Sequence, residues 1–458
     1  VPEFYNRLPI TQRIVVSFLA VIALGSFVLS LPWVFQKGVA YPGYFDILFN
    51  TVSIVCVTGL NTFSVGLTYN VWGQAIVMAL IQIGGLGLVT LVSLSYYAIN
   101  RRMSLSEQTL LKSSLAYETS KDLKQYLFGV YKVTFVLEAV MTAYFLIDFV
   151  PRFGWKRGLF NSLFLAVSSF CNAGFDNLPT SHSLMALKTN PIITSGVMFL
   201  IFSGAIGFPV WTDLAIKGKI FLKQRPRRLL WFYQSLRPST LLTLKTTIIL
   251  LVLGTLSFWA VEAHNPATIG RLNFWQQGWV SLFQAVTMRS AGFTTIDFNQ
   301  THLSTNFLFM LQMMMGGGPG GTAGGVKLAI VAIVALLFIS EIRGQKRVTF
   351  QQRIISSETI RQTLTILIFF TILLFAGFFL LLITENGKDP FQLAFEATSA
   401  LSTVGVTMDT TSQLTRAGQW VIMALIFIGR VGPLTVLMGL LQTHKRDSHY
   451  PQTDIILG

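Results

Sequence analysis

The chain has 458 residues, of which 52% are hydrophobic and 12% charged, and its formal net charge is +15. A soluble domain carries about 25% charged residues, so a mean hydropathy of +0.60 excludes an ordinary soluble enzyme or binding module and leaves no room for a separate soluble domain. Two cysteines, Cys56 and Cys171, exclude a disulfide framework, and the five histidines, His182, His264, His302, His444 and His449, show no ligand spacing and are expected at the surface.

The chain opens at Val1 without a signal-peptide pattern, and the apolar run over residues 14–35 is long enough to remain as an anchor. A short amphipathic stretch follows at 44–55, then the segment Cys56-Val57-Thr58-Gly59-Leu60, then a second apolar run over 71–99. The same order returns three times. Residues 126–150, 240–261 and 363–383 are long spans, 159–170, 275–288 and 391–401 are short, and 191–216, 305–339 and 418–442 are long again. Runs of roughly 20 apolar residues cross a bilayer as helices, whereas runs of about 11 to 14 are too short and fit re-entrant pore helices. Phe49, Phe164 and Phe395 each lie ten residues before a glycine, with Leu282 at the equivalent place.

Those glycines sit in four similar segments, the first at Gly59 and the others reading Cys171-Asn172-Ala173-Gly174-Phe175, Arg289-Ser290-Ala291-Gly292-Phe293 and Ser402-Thr403-Val404-Gly405-Val406, at separations of 115, 118 and 113 residues. One supersecondary unit copied four times accounts for this regularity. The expected fold is an all-α integral membrane protein, with four tandem helix–re-entrant pore helix/loop–helix repeats around a pseudo-fourfold pore. The repeats cover residues 1–100, 101–218, 219–342 and 343–458, the last including a C-terminal tail.

Charge placement orients this fold. Lys217, Lys219, Lys223, Arg225, Arg227, Arg228 and Arg237 fall between the second and third repeats with no acid among them. Arg101, Arg102, Lys112, Lys121 and Lys124 occupy the first connection, and Arg343, Lys346, Arg347 and Arg353 the third. The positive-inside rule places these connections and both termini in the cytoplasm of a multi-pass cell-membrane protein. The same rule accounts for the pI near 9.9 without nucleic acid as a partner.

Backbone carbonyls replace the hydration shell of a monovalent cation when four strands approach closely, which glycine permits. The short helices point their partly negative C-terminal ends at the same centre. The expected cation-binding filter is therefore Val57, Thr58, Gly59, Asn172, Ala173, Gly174, Ser290, Ala291, Gly292, Thr403, Val404 and Gly405. Only the fourth copy reads Thr-Val-Gly as in potassium channels, and each copy keeps one glycine, so fewer ion sites are expected. The competing reading is that the glycines merely let helices pack. No cofactor is expected on the chain, and the transported species is expected to be a monovalent cation.

The second span of the third repeat is interrupted by Gly316, Gly317, Gly318, Pro319, Gly320, Gly321, Thr322, Ala323, Gly324 and Gly325. Glycine costs about 1 kcal/mol and proline about 3 kcal/mol in a helix, so this run forms a loop. Irregular backbone at membrane depth is buried in protein or lines a cavity. A phosphate cradle would need a GxxxxGK-Ser/Thr pattern, which the run does not match. Gly84, Gly204, Gly316 and Gly429 follow their segment glycines at similar separations, which sets the loop at the depth of Arg430. An intramembrane arginine costs at least about 2.5–3.5 kcal/mol and needs a partner. Loop 316–325 and Arg430 are thus the expected gate, with Glu396 or loop carbonyls as structural partners of the arginine. Glu138 and Lys245 are expected in packing or interfacial ion pairs, and Asp176, Asp297 and Asp409 at an outer mouth.

On these motifs the chain resembles the Trk/Ktr/HKT superfamily of potassium transporters over its full length, and most closely the membrane subunit of the bacterial Ktr system. The resemblance is carried by Leu80-Ile81-Gln82-Ile83-Gly84-Gly85-Leu86-Gly87, Phe170 to Phe175, Thr287 to Phe293, Ile428-Gly429-Arg430-Val431-Gly432-Pro433-Leu434-Thr435 and the tail from Tyr450 to Gly458. It departs at Cys171, where a second asparagine is expected, and at Gly318-Pro319-Gly320-Gly321, where small polar residues are usual. The resemblance implies potassium uptake, with potassium held by the filter carbonyls and sodium as a candidate activator, by a homodimer with one pore per subunit, set in membrane lipid on a KtrA-like cytoplasmic ring of nucleotide-binding regulatory subunits. The alternative is a proton- or sodium-coupled secondary carrier for monovalent cations. A carrier would show inverted repeats and broken helices, whereas each repeat here reads as two full spans in parallel order. An intramembrane enzyme would need a catalytic cluster within the spans, and the sequence has none.

Overall fold

The computed structural model describes residues 10–87, 123–179, 183–223 and 229–432. The ends of the first and fourth repeats' second spans, Pro433-Leu434-Thr435, the tail, Arg101, Arg102, Lys112, Lys121, Arg225, Arg227, Arg228, His182, His444 and His449 lie outside these residues.

In chain order the main elements are α1 (Ile10–Leu29), α2 (Tyr44–Val55) and α3 (Val71–Leu86), then α4 (Leu123–Phe153), α5 (Trp155–Cys171), α6 (Pro191–Ala205) and α7 (Phe208–Lys223). These are followed by α8 (Pro238–Glu262), α9 (Phe274–Thr287), α10 (Leu303–Met314) and α11 (Leu328–Ile342), a hairpin of β1 (Thr349–Phe350) and β2 (Arg353–Ile354), and α12 (Ser357–Thr384), α13 (Pro390–Leu401) and α14 (Arg416–Val431). Helices α1, α4, α8 and α12 contain stretches long and apolar enough to cross a bilayer. Their outer faces stay uncovered: Ile248, Ile249, Val252 and Leu253 on α8, and Ile368, Ile372, Phe375 and Phe379 on α12, are exposed. In water such faces would drive association; against lipid they are the ordinary surface.

The short helices take the centre. Phe49, Phe164 and Phe395 on α2, α5 and α13 are fully buried. Each second-span helix packs on the short central helix of the following repeat: α3 on α5, α6 on α9, α10 on α13, and α14 back on α2. The packing therefore runs in a circle and closes.

A recurring clasp ties the two spans of each repeat at one end. Asn70, the N-cap of α3, donates Nδ2–H to Trp33 O at 2.6 Å, and Asn190, the N-cap of α6, donates to Asp148 Oδ1 at 2.7 Å. Glu262 at the end of α8 accepts from His302 N at 2.9 Å and from Thr305 Oγ1, and Glu385 after α12 accepts from Thr415 N at 2.8 Å. Each clasp holds the N-terminus of a second-span helix, where the two carboxylates of the later repeats also complement the helix dipole.

Two of the second spans are not continuous. The run 305–339 breaks at the glycine loop, as expected. The run 191–216 also breaks, where α6 and α7 meet at 97°. Gly207 there has φ 96°, and Pro209 follows within the first turn of α7, so the helix cannot pass straight through. The expectation of two full spans in every repeat is thereby corrected, and the absence of broken helices no longer separates a channel from a carrier.

Candidate ion-conduction site

The four glycine segments meet where α2, α5, α9 and α13 end. Gly59, Gly174, Gly292 and Gly405 have φ of 107°, 70°, 78° and 92°, and the residues two before them, Val57, Asn172, Ser290 and Thr403, are left-handed too, at 55°, 59°, 69° and 49°. A Cβ on Gly59 would lie 3.0 Å from Ala173 O, and one on Gly174 would lie 2.7 Å from Ala291 O. On Gly292 it would strike Val404 O, and on Gly405 Thr58 O. The contacts pass from each repeat to the next and return to the first. Glycine is required twice at each position, by φ and by space.

The amides of these segments turn back to their own helices. Thr58 N, Ala173 N and Val404 N donate to Ser53 O, Ser168 O and Ser399 O at 2.9, 2.8 and 2.9 Å, and Ala291 N donates to Thr287 O at 3.0 Å. The carbonyls are left free: Thr58 O, Ala173 O, Ala291 O and Val404 O receive no hydrogen bond from any described residue, though all four residues are buried. Buried backbone acceptors are almost always paired, so four together without donors suit a dehydrated cation.

Sequence reading missed the braces behind them. Ser53, Ser168 and Ser399, each six residues before its glycine, accept at Oγ from Gly59 N, Phe175 N and Gly405 N, all at 3.1 Å. In the third repeat Thr287 Oγ1 instead donates to Phe293 O at 2.7 Å. The recurrence of serine at one offset was the available signal.

On one side of the glycines lies a cavity of about 330 Å³, floored by Gly59, Gly174, Gly292 and Gly405 and bordered by Asp176, Asp297 and Asp409. The three acids thus line one cavity. Burial pushes the Asp176 carboxyl up to about 6, against the hydrogen bond that its Oδ1 accepts from Leu178 N at 3.1 Å.

On the other side is the loop at 316–325. Its neck is closed by Gly316 N to Val326 O at 2.9 Å and Val326 N to Met314 O at 3.0 Å, and Gly316, Gly317, Gly318, Thr322, Ala323 and Gly324 are buried. Its backbone fills the break between α6 and α7: Gly318 N donates to Ala205 O at 2.7 Å, Thr322 N to Gly204 O at 3.0 Å, and Gly207 lies against Pro319 O. The carbonyls freed at the end of α6 are satisfied by the loop rather than by water. The loop also reaches the glycine segments. Asn172 Nδ2 donates to Thr322 Oγ1 at 2.6 Å, and Gly324 N donates to Ser290 Oγ at 2.9 Å, which in turn donates to Thr403 O at 2.9 Å.

Arg430 spans three repeats. From α14 it donates to Thr322 O of the loop and to Gly84 O and Gly85 O at the end of α3, the last at 3.0 Å. Carbonyls are its partners; Glu396 is not. Glu396 accepts from Thr407 Oγ1 at 2.8 Å and from Thr411 Oγ1. The glycines aligned by separation prove to be close-approach sites: a Cβ on Gly84, Gly204 or Gly429 would strike Val55 O, Phe170 O or Leu401 O in the last turn of the short helix of its own repeat, whereas one on Gly316 would strike Gly324 O of the loop. Lys245 and Glu138 form no ion pair among the described residues. Lys245 Nζ sits over the Tyr233 and Phe350 rings at 5.5 and 5.7 Å, and Glu138 is buried with Oε1 lacking a hydrogen-bond partner among the described residues. His264 and His302 are exposed, and both cysteines are free and buried.

Comparison with known proteins agrees with this architecture. Residues 10–449 match the family described as TrkH, cation transport protein. The chain is 34% identical to the Ktr system potassium uptake protein B of Bacillus subtilis, covering 98% of this chain and 96% of that one. It is 33% identical to the potassium/sodium uptake protein NtpJ of Enterococcus hirae, covering 99% and 98%. Its fold matches the crystal structure of the potassium transporter TrkH from Vibrio parahaemolyticus with a TM-score of 0.74 at 15% identity, over 95% of this chain and 85% of that one. A family match over nearly the whole chain, with relatives above 30% identity at full length, settles the assignment: the chain belongs to the TrkH family of cation transport proteins, a family of membrane transporters and not of enzymes.

Proposed function

We propose that the chain takes up potassium across the cell membrane through a filter formed by Val57 to Gly59, Asn172 to Gly174, Ser290 to Gly292 and Thr403 to Gly405, in four tandem repeats around a pseudo-fourfold pore. The observation that carries this reading is the set of four buried carbonyls without donors beside four glycines in cyclic contact. The relatives' names supply the ion. Loop 316–325, held by Arg430, is the gate below the filter. The basic connections and both termini face the cytoplasm, where a nucleotide-binding regulatory ring controls a homodimer.

Rubidium or potassium uptake into proteoliposomes, with and without an imposed voltage, tests this. Uptake should follow voltage and the potassium gradient alone, and should be unaffected by nucleotide until the regulatory subunits are added. A second reading, a sodium-coupled carrier, is favoured by the two broken second spans. It requires potassium accumulation to follow an imposed sodium gradient at zero voltage, whereas sodium acting only as an activator would alter the rate and not the final accumulation.

A further inference from the structure

A second cavity, of about 440 Å³, opens away from the ion pathway between the start of α8, the middle of α11 and the β1–β2 hairpin. Arg237, Ser239, Leu242, Ile333, Phe350 and Arg353 are among the residues that line it. The geometry points to a binding site for the phosphate headgroup of an anionic phospholipid, of which phosphatidylglycerol is the simplest example.

Three observations carry this. The first is charge. Arg237 and Arg353 are exposed, and neither guanidinium forms an ion pair or hydrogen bond among the described residues. Asp213 spends Oδ2 on the Arg237 backbone N–H at 2.9 Å, and Glu341 lines an adjoining cavity that shares Ile354 and Ile355 with this one but is not among the residues lining the site itself. Lys245 adds a third cation beside the Phe350 ring that lines the cavity. Unpaired guanidinium groups form a fork that matches phosphate oxygens.

The second is the rest of the wall. Leu242, Ile333, Phe350 and Ile354 make it apolar, Ile354 is itself exposed, and Ile249, two helical turns along α8 from Leu242, is exposed as well. A free phosphate gains nothing from such a wall; a phospholipid places its headgroup on the arginines and its acyl chains along the isoleucines. The third is position. The arginines stand at the end of α8 that carries the basic connections, which on the orientation proposed above is the cytoplasmic leaflet, where anionic lipid meets basic pockets between helices. The helix that walls the site also touches the loop. Thr243, next to Leu242, would lie 3.0 Å from a Cβ on Gly318, so a lipid seated on α8 acts on the helix that packs against 316–325.

The test is a titration of the delipidated full-length protein in detergent, following its melting temperature with phosphatidylglycerol, phosphatidylcholine or inorganic phosphate. Phosphatidylglycerol should stabilise the protein at lower concentration than phosphatidylcholine, and phosphate should do nothing. The R237Q/R353Q double variant should bind phosphatidylglycerol about 25-fold more weakly, about fivefold for each arginine near an anionic headgroup. Arg343→Gln, a basic residue outside the cavity, should leave the preference intact. Should the double variant misfold, Arg353→Gln alone, on the exposed hairpin, should still show the fivefold loss. Equal response to the two lipids, or an undiminished preference in the arginine variants, overturns the proposal. Stabilisation by phosphate alone identifies a free-anion site, and overturns the lipid. Variants that lose capture of a regulatory subunit but keep their lipid preference make the cavity a protein interface, with the same result. Potassium selectivity takes no part in this measurement, so its outcome is independent of the filter.

Discussion

Gly405 carries two constraints at once, a φ of 92° and a missing Cβ that would strike Thr58 O. Gly405→Ser and Gly292→Ser should therefore displace a neighbouring repeat's carbonyl as well as strain their own backbone. Loss of one carbonyl ligand, at about 1–2 kcal/mol, should weaken potassium preference over sodium about 5- to 30-fold, read from competition in uptake assays. Unchanged preference in folded protein would remove these segments from the filter. The glycines were legible because glycine alone tolerates both constraints. The left-handed Val57 and Thr403 were not, because β-branched residues are the last that local preference would put there, and the bonds that hold the turns are made by the residues after them, Thr58 N to Ser53 O and Val404 N to Ser399 O. Asp176 adds a pH dependence. Burial raises its carboxyl to about 6, so it is charged above that pH and neutral below, while Asp297 and Asp409 border the same cavity. Uptake at low potassium should fall as external pH drops from about 7 to about 5, and Asp176→Asn should lower uptake at pH 7 and flatten the profile. A profile that keeps its shape in the variant assigns the titration to another group.

At the scale of elements, the loop and the broken helix α6–α7 complete each other: the break exposes Gly204 O and Ala205 O, and loop amides take them up. Arg430 then locks the loop to the end of α3. Arg430→Ala removes the lock without touching the loop's bonds to α6. A loop–arginine contact of about 1–2 kcal/mol shifts a closed-to-open equilibrium roughly 5- to 30-fold, so potassium flux per folded protein should rise by that order. Deleting part of 316–325 should raise it as well. Lower flux from well-folded variants would contradict a gate, and normalisation to folded protein keeps that result apart from simple loss of the protein. The loop could be read in the sequence because its glycines are contiguous. The break could not be read as easily, since Gly207 and Pro209 are isolated within an otherwise apolar run and isolated glycine and proline are tolerated in membrane helices. The bond partners of Arg430 were legible as carbonyls in kind but not in place, because Gly84 and Gly85 lie some 345 residues away.

For the molecule as a whole, the order of spans was readable from hydropathy alone, but how the fourth repeat meets the first was not, since no local pattern records it. The structure closes that seam at the edge of the ring. Arg416, at the start of α14, donates through Nη1 and Nη2 to Asp46 Oδ1 and Oδ2 of α2 at 2.8 and 3.0 Å, across 370 residues of chain, and stacks over Phe45 at 4.7 Å. The pair is partly exposed, so it is worth no more than about 1 kcal/mol despite its two-pronged geometry. Its position gives it a use beyond that energy, because separating α14 from α2 opens the circle of packing on which the four segments depend. Asp46→Arg or Arg416→Asp alone places like charges at the seam and should lower the melting temperature of the purified protein. The double exchange should restore most of it, leaving a coupling of about 0.5–1 kcal/mol in the mutant cycle. If the two substitutions are merely additive, the contact does not hold the seam, and the ring is closed by apolar packing between α14 and α2 alone. Uptake measured on the same variants separates the two roles: a seam that supports the filter should lose potassium preference in each single exchange and regain it in the double.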